Sequence, residues 1–384
     1  MRFDLERSLN IRDLRDRAHS ILPAPVLGYL EGAADDEYTL ERNIAAYRDY
    51  ELIPRYLVDV SSIDTRTRVL GVDVDMPLLM SPTGFSRMFH PDAELAAARA
   101  ATAHGTMYCL STVATESIET VAAAATGPKM FQVYVLKDPG LNFEFIQRCR
   151  DAGYAALCLT VDVPAGGNRE RDLRTGMVMP PTFGWRSKLS FATHPNWSLG
   201  QLRGPAFDIP NVSDRVSGYK PGLGDRLNYL FSQFDPTVTW QDAERMIDAW
   251  GGPFAIKGIM SPDDARRAVQ IGASAVVVSN HGGRQLDGVP ATIDCLKAIV
   301  DEVGAEIEVI IDGGIRRGTD VLKALALGAT ACMIGRPYVY GLACAGEAGV
   351  GRVLDIFKAE ITRDLALLGC TRPSDITRDY IRHR

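Results

Sequence analysis

What this chain lacks narrows the field first. Its seven cysteines are odd in number and contain no C-x-x-C pair. That excludes a disulfide frame and a zinc site, and fits reduced core residues of a cytoplasmic protein. No run of about eighteen apolar residues occurs, so no membrane span is expected. The opening MRFDLERSLNIRDLRDR is charged throughout and does not read as a secretory signal. There is no basic excess. The formal net charge is −6, which gives no general attraction to nucleic acid. G-x-G-x-x-G, G-x-x-x-x-G-K-[ST] and H-E-x-x-H are all absent, so a nicotinamide fingerprint, a Walker loop and a zincin site are excluded, and no metal is expected. What is present is ordinary globular composition, 46% hydrophobic and 23% charged over 384 residues, enough for one large α/β domain or two smaller ones.

Residues 1–55 read as a helical preamble, with Leu14, Ala18, Ile21 and Leu22 at helical spacing before Pro23. From residue 77 to 368 short apolar runs alternate with helical patterns. The runs are Pro77–Ser81, Thr106–Leu110, Met130–Val135, Ala155–Val161, Phe254–Lys257, Ala275–Val278, Glu308–Ile311 and Ala331–Ile334. The last helix is expected from about Val350 to Leu368. Eight strand–helix units predict a (β/α)8 barrel, with its site at the carboxyl ends of the strands. Those ends carry Gly84, Ser111, Tyr134, Asp162, Lys257, His281, Asp312 and Arg336. A doubly wound sheet would gather its ligand groups at one switch point instead. One domain, 1–384, is expected. Residues 176–238, rich in Pro, Gly and aromatics, are too long for an ordinary connection after strand four. They are expected to be a lid, a docking segment or partly disordered.

The chemistry gathers around SNHGGRQLDG at 279–288, just past the sixth strand. His281 there can take a proton, and Arg284 can grip a carboxylate in a fork. Gly282 and Gly283 let the backbone bend and something flat approach. Lys257 ends an apolar strand and needs an anionic partner. It could form a Schiff base, balance an aspartate, or stabilise charge on a cofactor. Asp162 could orient His281. Arg169 is a second carboxylate clamp or a solvated loop charge. Tyr29 is a ligand group or packing at a helix end. Asp312-Gly-Gly-Ile-Arg316 and Gly335-Arg336, on the seventh and eighth strands, read together as a phosphate cradle, though each alone could be an ordinary turn.

These motifs resemble the active-site signature of FMN-dependent α-hydroxy acid oxidising enzymes, a family that includes glycolate oxidase, L-lactate dehydrogenase and mandelate dehydrogenase. The resemblance extends through YLEGAADDEYTL at 29–40, SPTG at 81–84, LSTVAT at 110–115, FQVYVLKD at 131–138, LTVDVP at 159–164, IKGI at 256–259, DGGIRRGTDVLKALALGA at 312–329 and IGRPYVYGL at 334–342. It implies FMN as cofactor and His281 as the base, oriented by Asp162. It implies that Arg169, Arg284 and the Tyr29 hydroxyl bind the substrate carboxylate, and that Tyr134 bonds the substrate oxygen. Lys257 would stabilise the reduced flavin. Ser111, Gln132 and Thr160 would bond the isoalloxazine, with Pro82, Thr83, Gly84 and Ser279 completing its surroundings. Asp312, Gly313, Gly314, Arg316, Gly335 and Arg336 would hold ribityl and phosphate.

Glycolate-oxidising relatives carry tryptophan where this chain has Val113 and alanine where it has Gly84. The glycine resembles the dehydrogenases that pass electrons onward. The 176–238 segment resembles the long loop of respiratory, membrane-associated members. The activity so implied is oxidation of an L-2-hydroxy acid, first L-lactate to pyruvate, with electrons passed to quinone or another respiratory acceptor. The implied form is a homo-oligomer, a tetramer, peripheral on the cytoplasmic face of the inner membrane. Alternatives are an (S)-mandelate dehydrogenase, an oxidase using oxygen, a barrel enzyme working on a phosphorylated metabolite through Lys257, and a non-catalytic flavin protein. Phe183, Trp185, Leu189, Phe191 and Trp197, with Arg186 and Lys188 among them, suit a headgroup interface. A lid over the barrel mouth is the other reading of the same segment.

Overall fold

In a β-strand successive side chains face opposite sides, so every second residue of a barrel strand points inward. The computed structural model, which describes residues 5–178, 180–213 and 223–384, has this alternation in every strand of a closed barrel. The eight parallel strands are β1 (Leu78–Met80), β2 (Tyr108–Ser111), β3 (Lys129–Val133), β4 (Ala156–Thr160), β5 (Phe254–Ile259), β6 (Ala275–Val278), β7 (Glu308–Ile311) and β8 (Ala331–Ile334). Each is followed by a helix on the outside: α1 (Ala93–Ala103), α2 (Ile118–Ala124), α3 (Pro139–Asp151), α4 (Trp240–Trp250), α5 (Pro262–Gln270), α6 (Thr292–Val303), α7 (Gly318–Ala326) and α8 (Arg336–Leu368). Outward residues such as Leu110, Phe131, Leu157, Ile256 and Val276 pack in the core that lies beneath the helices. Inward residues Leu79, Cys109, Met130, Cys158, Ala255, Val277, Ile310 and Met333 fill the barrel. Two residues further on, the same period places Ser81, Ser111, Gln132, Thr160, Lys257, Ser279, Asp312 and Gly335 at the carboxyl mouth. An apolar plug thus gives way to a polar rim in one step of the repeat.

The opposite end is closed by a hairpin, Thr67–Val69 with Val72–Val74. Its Val69, Leu70 and Val74 join the barrel's inner core, and the Leu70 N–H donates to the Glu308 carboxylate at 2.8 Å. Helices Ile11–Ile21, Ala24–Glu31 and Tyr38–Ala45 precede the barrel, and strand Tyr50–Leu52 pairs antiparallel with Ile381–His383.

Two expectations change. The last helix begins at Arg336, directly after β8, and is interrupted at Ala345 and Gly346. The run GLACAGEAGVG reads as a loop by propensity, but its small residues allow close packing. A Cβ on Gly341 would lie 2.3 Å from the Gly349 carbonyl oxygen. The described part of 176–238 also carries helices, Trp185–Thr193, Pro195–Arg203, Pro210–Ser213 and Leu223–Ser232. Pro195 and Pro210 open two of them, since the first helical turn has no use for their missing N–H. Residue 179 and residues 214–222, which include Lys220-Pro-Gly222, lie outside the described residues.

Glu94 of α1 is fully buried and ties the first two strand-end loops together. Its carboxylate accepts from the Ser86 N–H at 3.2 Å, the Thr115 N–H at 2.9 Å and the Thr115 hydroxyl at 2.6 Å. Glu94→Ala would strand three buried donors and is expected to cost about 2–3 kcal/mol. Urea unfolding checks this, and an unchanged midpoint at unchanged slope would rule it out.

Candidate active site

After β6 the chain enters an unusual turn. His281, Gly282 and Gly283 all lie in the left-handed region, with φ of 58°, 64° and 77°. For a histidine this conformation is uncommon and has to be held by its surroundings. Asn43 and Asn280 exchange amide hydrogen bonds at 2.8 and 2.9 Å beneath it. A Cβ on Gly282 would sit 2.8 Å from Arg336 Nη1, and one on Gly283 would sit 2.7 Å from the Leu40 backbone nitrogen. What the two glycines admit among the protein's own groups is a guanidinium and a helix backbone, and Gly282 also lines the cavity.

The turn delivers His281 to Asp162, with Nδ1 and Oδ1 2.8 Å apart. A carboxylate can only accept, so Nδ1 carries the proton and Nε2 is left as the acceptor. Burial alone would raise the Asp162 pKa. The charge His281 carries when protonated and its hydrogen bond, with the charge of Lys257, outweigh it and hold the carboxyl below its usual range. The same turn brings Arg284 over the Tyr29 ring, 4.8 Å from its centroid, while Arg169 lies 5.8 Å from that ring. Arg284 Nη1 donates to the carbonyls of Tyr29 and Gly32, both at 2.8 Å. Burial and the nearby Arg169 charge lower its pKa to about 10, so it stays charged at neutral pH.

Lys257 is buried, 2.9 Å from Asp312 Oδ2, and donates to Ser279 Oγ at 2.6 Å. Burial lowers its pKa, but the charges of Asp312 and Asp162 outweigh that and raise it above the ordinary value. A Schiff-base lysine has to lose its proton to become a nucleophile. The ion pair with Asp312 favours the charged form, which does not suit the Schiff-base role that a reaction on a phosphorylated metabolite through Lys257 would need.

On the cofactor side, Ser111 Oγ donates to Gln132 Oε1 at 3.0 Å. Among the described residues Gln132 Nε2 and Thr160 Oγ1 are buried with no partner, as is Asp312 Oδ1. Ser111, Gln132 and Thr160 face the barrel axis on the neighbouring strands β2, β3 and β4, and Asp312 follows β7. Pro82, Thr83 and Gly84 line the cavity wall, and Gly313 and Gly314 follow β7 with φ of 94° and 80°. Arg316 lines the cavity, its Nη1 donating to the Ile315 carbonyl at 2.8 Å. Gly335-Arg336 starts α8. Arg336 does more than the phosphate duty expected of it. Its Nε, Nη1 and Nη2 donate to the carbonyls of Leu30, Gly282 and Gly32 at 3.0, 3.0 and 2.9 Å. Two of its five N–H groups are left over.

Two features were not expected. Asp172, on the short helix Glu170–Thr175, lines the cavity 3.8 Å from Arg169, with one oxygen unpartnered. Its spacing of three from Arg169 was the available signal. The Asn43–Asn280 pair joins residues 237 apart and left none.

Tyr29, Tyr134, Thr160, Arg169, Lys257, His281, Arg284 and the ends of β7 and β8 line a cavity of about 480 Å3, whereas Ser111, Gln132, Asp162 and Ser279 are not among its lining residues. The volume suits a cofactor and a small substrate. The chain belongs to the FMN-dependent dehydrogenase family, which it matches over residues 18–383. It is similar to the structure of a monotopic membrane protein, (S)-mandelate dehydrogenase, at 37% identity and a TM-score of 0.94 over 98% of this chain and 100% of that one. A soluble mutant of the membrane-associated (S)-mandelate dehydrogenase from Pseudomonas putida shares 36% identity at a TM-score of 0.85, over 98% of this chain and 100% of that one. A mandelate oxidase variant shares 34% at 0.83, over 98% of each chain. The cofactor of the family, FMN, fits the donors present. The stranded amide and hydroxyl of Gln132 and Thr160, with Lys257 beside them, suit the polar edge of an isoalloxazine. The glycines and arginines of β7 and β8 suit a phosphate.

Gly84 and Val113 are packed against each other in the wall of this cavity. A Cβ on Gly84 would lie 2.3 Å from Val113 Cγ2. Gly84→Ala alone is expected to lower FMN retention and thermal stability, and Val113→Ala added to it should restore both. Additive losses in the double variant would show the two positions to be uncoupled.

Glu31 anchors the helix whose carbonyls hold Arg284 and Arg336. It pairs with Arg15 and His19, each at 2.9 Å. Burial would raise its pKa, but these two partners outweigh it and bring it to about 2. A depressed carboxyl stabilises the fold above its unfolded pKa and loses that effect as pH falls. Wild type should therefore lose stability between about pH 4 and pH 2 more steeply than Glu31→Gln. Thermal unfolding across that range is the check, and parallel curves would exclude it.

Proposed function

We propose that this protein oxidises an L-2-hydroxy acid to the 2-oxo acid and passes the electrons to a quinone-type acceptor. The observation that carries it is the His281–Asp162 pair, presented across one mouth from Arg169 and Arg284, with the buried Lys257 beneath. The two arginines bind the substrate carboxylate and fix the carbinol carbon against the base. His281 Nε2 takes a proton from the substrate, and Asp162 stabilises the charge so formed. The Tyr134 hydroxyl bonds the substrate oxygen. Burial, with the Asp162 charge, raises its pKa, so it acts as a neutral donor. FMN supplies the two-electron acceptance, and Lys257 offers a fixed positive charge to the reduced form. The products are the 2-oxo acid, two electrons and two protons.

For the substrate we favour an aryl side chain over the methyl group of lactate. The similar structures are mandelate enzymes. Gly166 also leaves the cavity wall low, since a Cβ there would meet nothing within 4 Å, while the space beside Gly84 is taken by the small Val113 side chain. The ratio of kcat/KM for (S)-mandelate over L-lactate decides this, and a ratio below one restores lactate. His281→Gln should keep FMN and lose turnover by about 10²–10⁴-fold. A variant within about threefold of wild type would remove His281 from the role.

Membrane contact is supported by helices Trp185–Thr193 and Pro195–Arg203. Their Trp185 and Leu202 are 71% and 81% exposed, with Leu189 and Leu199 also exposed and Arg186 over the Trp185 ring. Apolar side chains among cations suit the headgroup boundary. Phe183, Phe191 and Trp197 turn inward instead and stack on one another. Among the described residues no helix is long and apolar enough to cross a membrane. Trp185→Ser with Leu202→Ser is expected to release the protein from anionic vesicles without loss of dye reduction. Equal sedimentation of variant and wild type would exclude this face.

A further inference from the structure

The mouth cavity has a neighbour. A second cavity of about 300 Å3 lies between the outer face of β4 and β5 and the start of α4. Tyr134, Thr160, Val163 and Phe234 line both cavities, and the Tyr134 and Phe234 rings, their centroids 5.2 Å apart, form the partition. The partition is fixed by backbone bonds. The Lys137 N–H donates to the Gln233 carbonyl at 2.7 Å and the Asp235 N–H to the Val135 carbonyl at 3.2 Å.

The two spaces differ in charge. The first is lined by Arg169, Lys257, Arg284, Arg316 and Arg336. Among the described residues no lysine or arginine lines the second, whose walls are Leu159, Val161, Val238 and Ile256. The two carboxylates on its rim are already engaged. Asp235 accepts from the Thr237 N–H and hydroxyl at 2.9 and 2.7 Å, and Asp264 accepts from the Ser261 hydroxyl at 3.0 Å. Along β4 Leu159 is fully buried, yet Val161, next on the same outward face, is 38% exposed because the cavity opens there. An anion entering this pair of spaces is drawn to the first. A neutral apolar ring is the ligand the second can take without leaving a charge unpaired.

We propose that the second cavity binds the electron acceptor, as the neutral ring of a quinone, with the Tyr134–Phe234 partition between it and the substrate. This rests on the dehydrogenase reading above. The acceptor takes two electrons from reduced FMN and two protons, and becomes the quinol. Separate spaces allow the 2-oxo acid and the acceptor to be present together.

Trp240 lines this cavity and gives a readout that needs no turnover. Oxidised holoenzyme, without hydroxy acid, is titrated with 2,3-dimethoxy-5-methyl-1,4-benzoquinone. Saturable quenching of tryptophan fluorescence is expected, and Trp240→Phe should remove it. Val238→Phe fills the cavity from its rim, and Val161→Phe does so from a position that is already exposed. Each should weaken quinone binding by about tenfold or more, and leave anaerobic bleaching of the flavin by hydroxy acid within about twofold of wild type. Quenching that survives Trp240→Phe, or wild-type quinone binding in both filled variants, overturns the proposal. So does selective slowing of bleaching by long-chain hydroxy acids, which would give the cavity to the substrate side chain. If no quinone reoxidises the bleached wild type, the acceptor reading itself fails. If quinones reoxidise it and the filled variants behave as wild type, the site alone fails.

Discussion

Arg336 joins three parts of the chain that the sequence keeps far apart. It stands at the start of α8, yet its guanidinium holds the carbonyls of Leu30 and Gly32 on one side and Gly282 on the other. The helix that carries Tyr29 is thereby fastened to the turn that carries His281. Arg284 repeats the arrangement through Tyr29 and Gly32. A histidine with positive φ has to be held by its surroundings, so the position of His281 depends on these clasps. Glu31 and its partners Arg15 and His19 secure the far side of the same helix.

Charge sets the second constraint. Five cationic side chains line one cavity, and each buried cation needs a counterweight. Lys257 has Asp312, and Arg169 has Asp172 at longer range. Arg284 and Arg336 have carbonyl dipoles in place of carboxylates. The cavity therefore keeps a net attraction for anions, which a substrate carboxylate and a cofactor phosphate both satisfy.

The barrel was legible in the sequence because its signal is local. Period-two burial and a polar residue at each strand end are read within a few residues, and Ala275–Val278, Glu308–Ile311 and Ala331–Ile334 were placed without error. The FMN assignment was legible through motifs, and the family match agrees with it. What escaped was non-local or hidden by composition. The Asn43–Asn280 pair spans 237 residues, and the carbonyls that hold Arg336 carry no side-chain signature. The glycines of 341–351 look like a loop until the close approach of Gly341 and Gly349 explains them. Of five aromatic and aliphatic residues expected at a membrane face, three turned inward. Composition can name a sticky segment, but the helix phase decides which side chains it shows.

The hairpin that closes the amino-terminal end makes the barrel a blind well. Gln132, Thr160 and Lys257 lie at one level of that well, and Tyr134 and Asp162 come two residues later along their strands, about 7 Å nearer the opening. Whatever occupies the lower level has to enter first and leave last. On the hydroxy acid reading proposed above, bound substrate would stand between FMN and the opening, so exchange of the cofactor would slow under turnover.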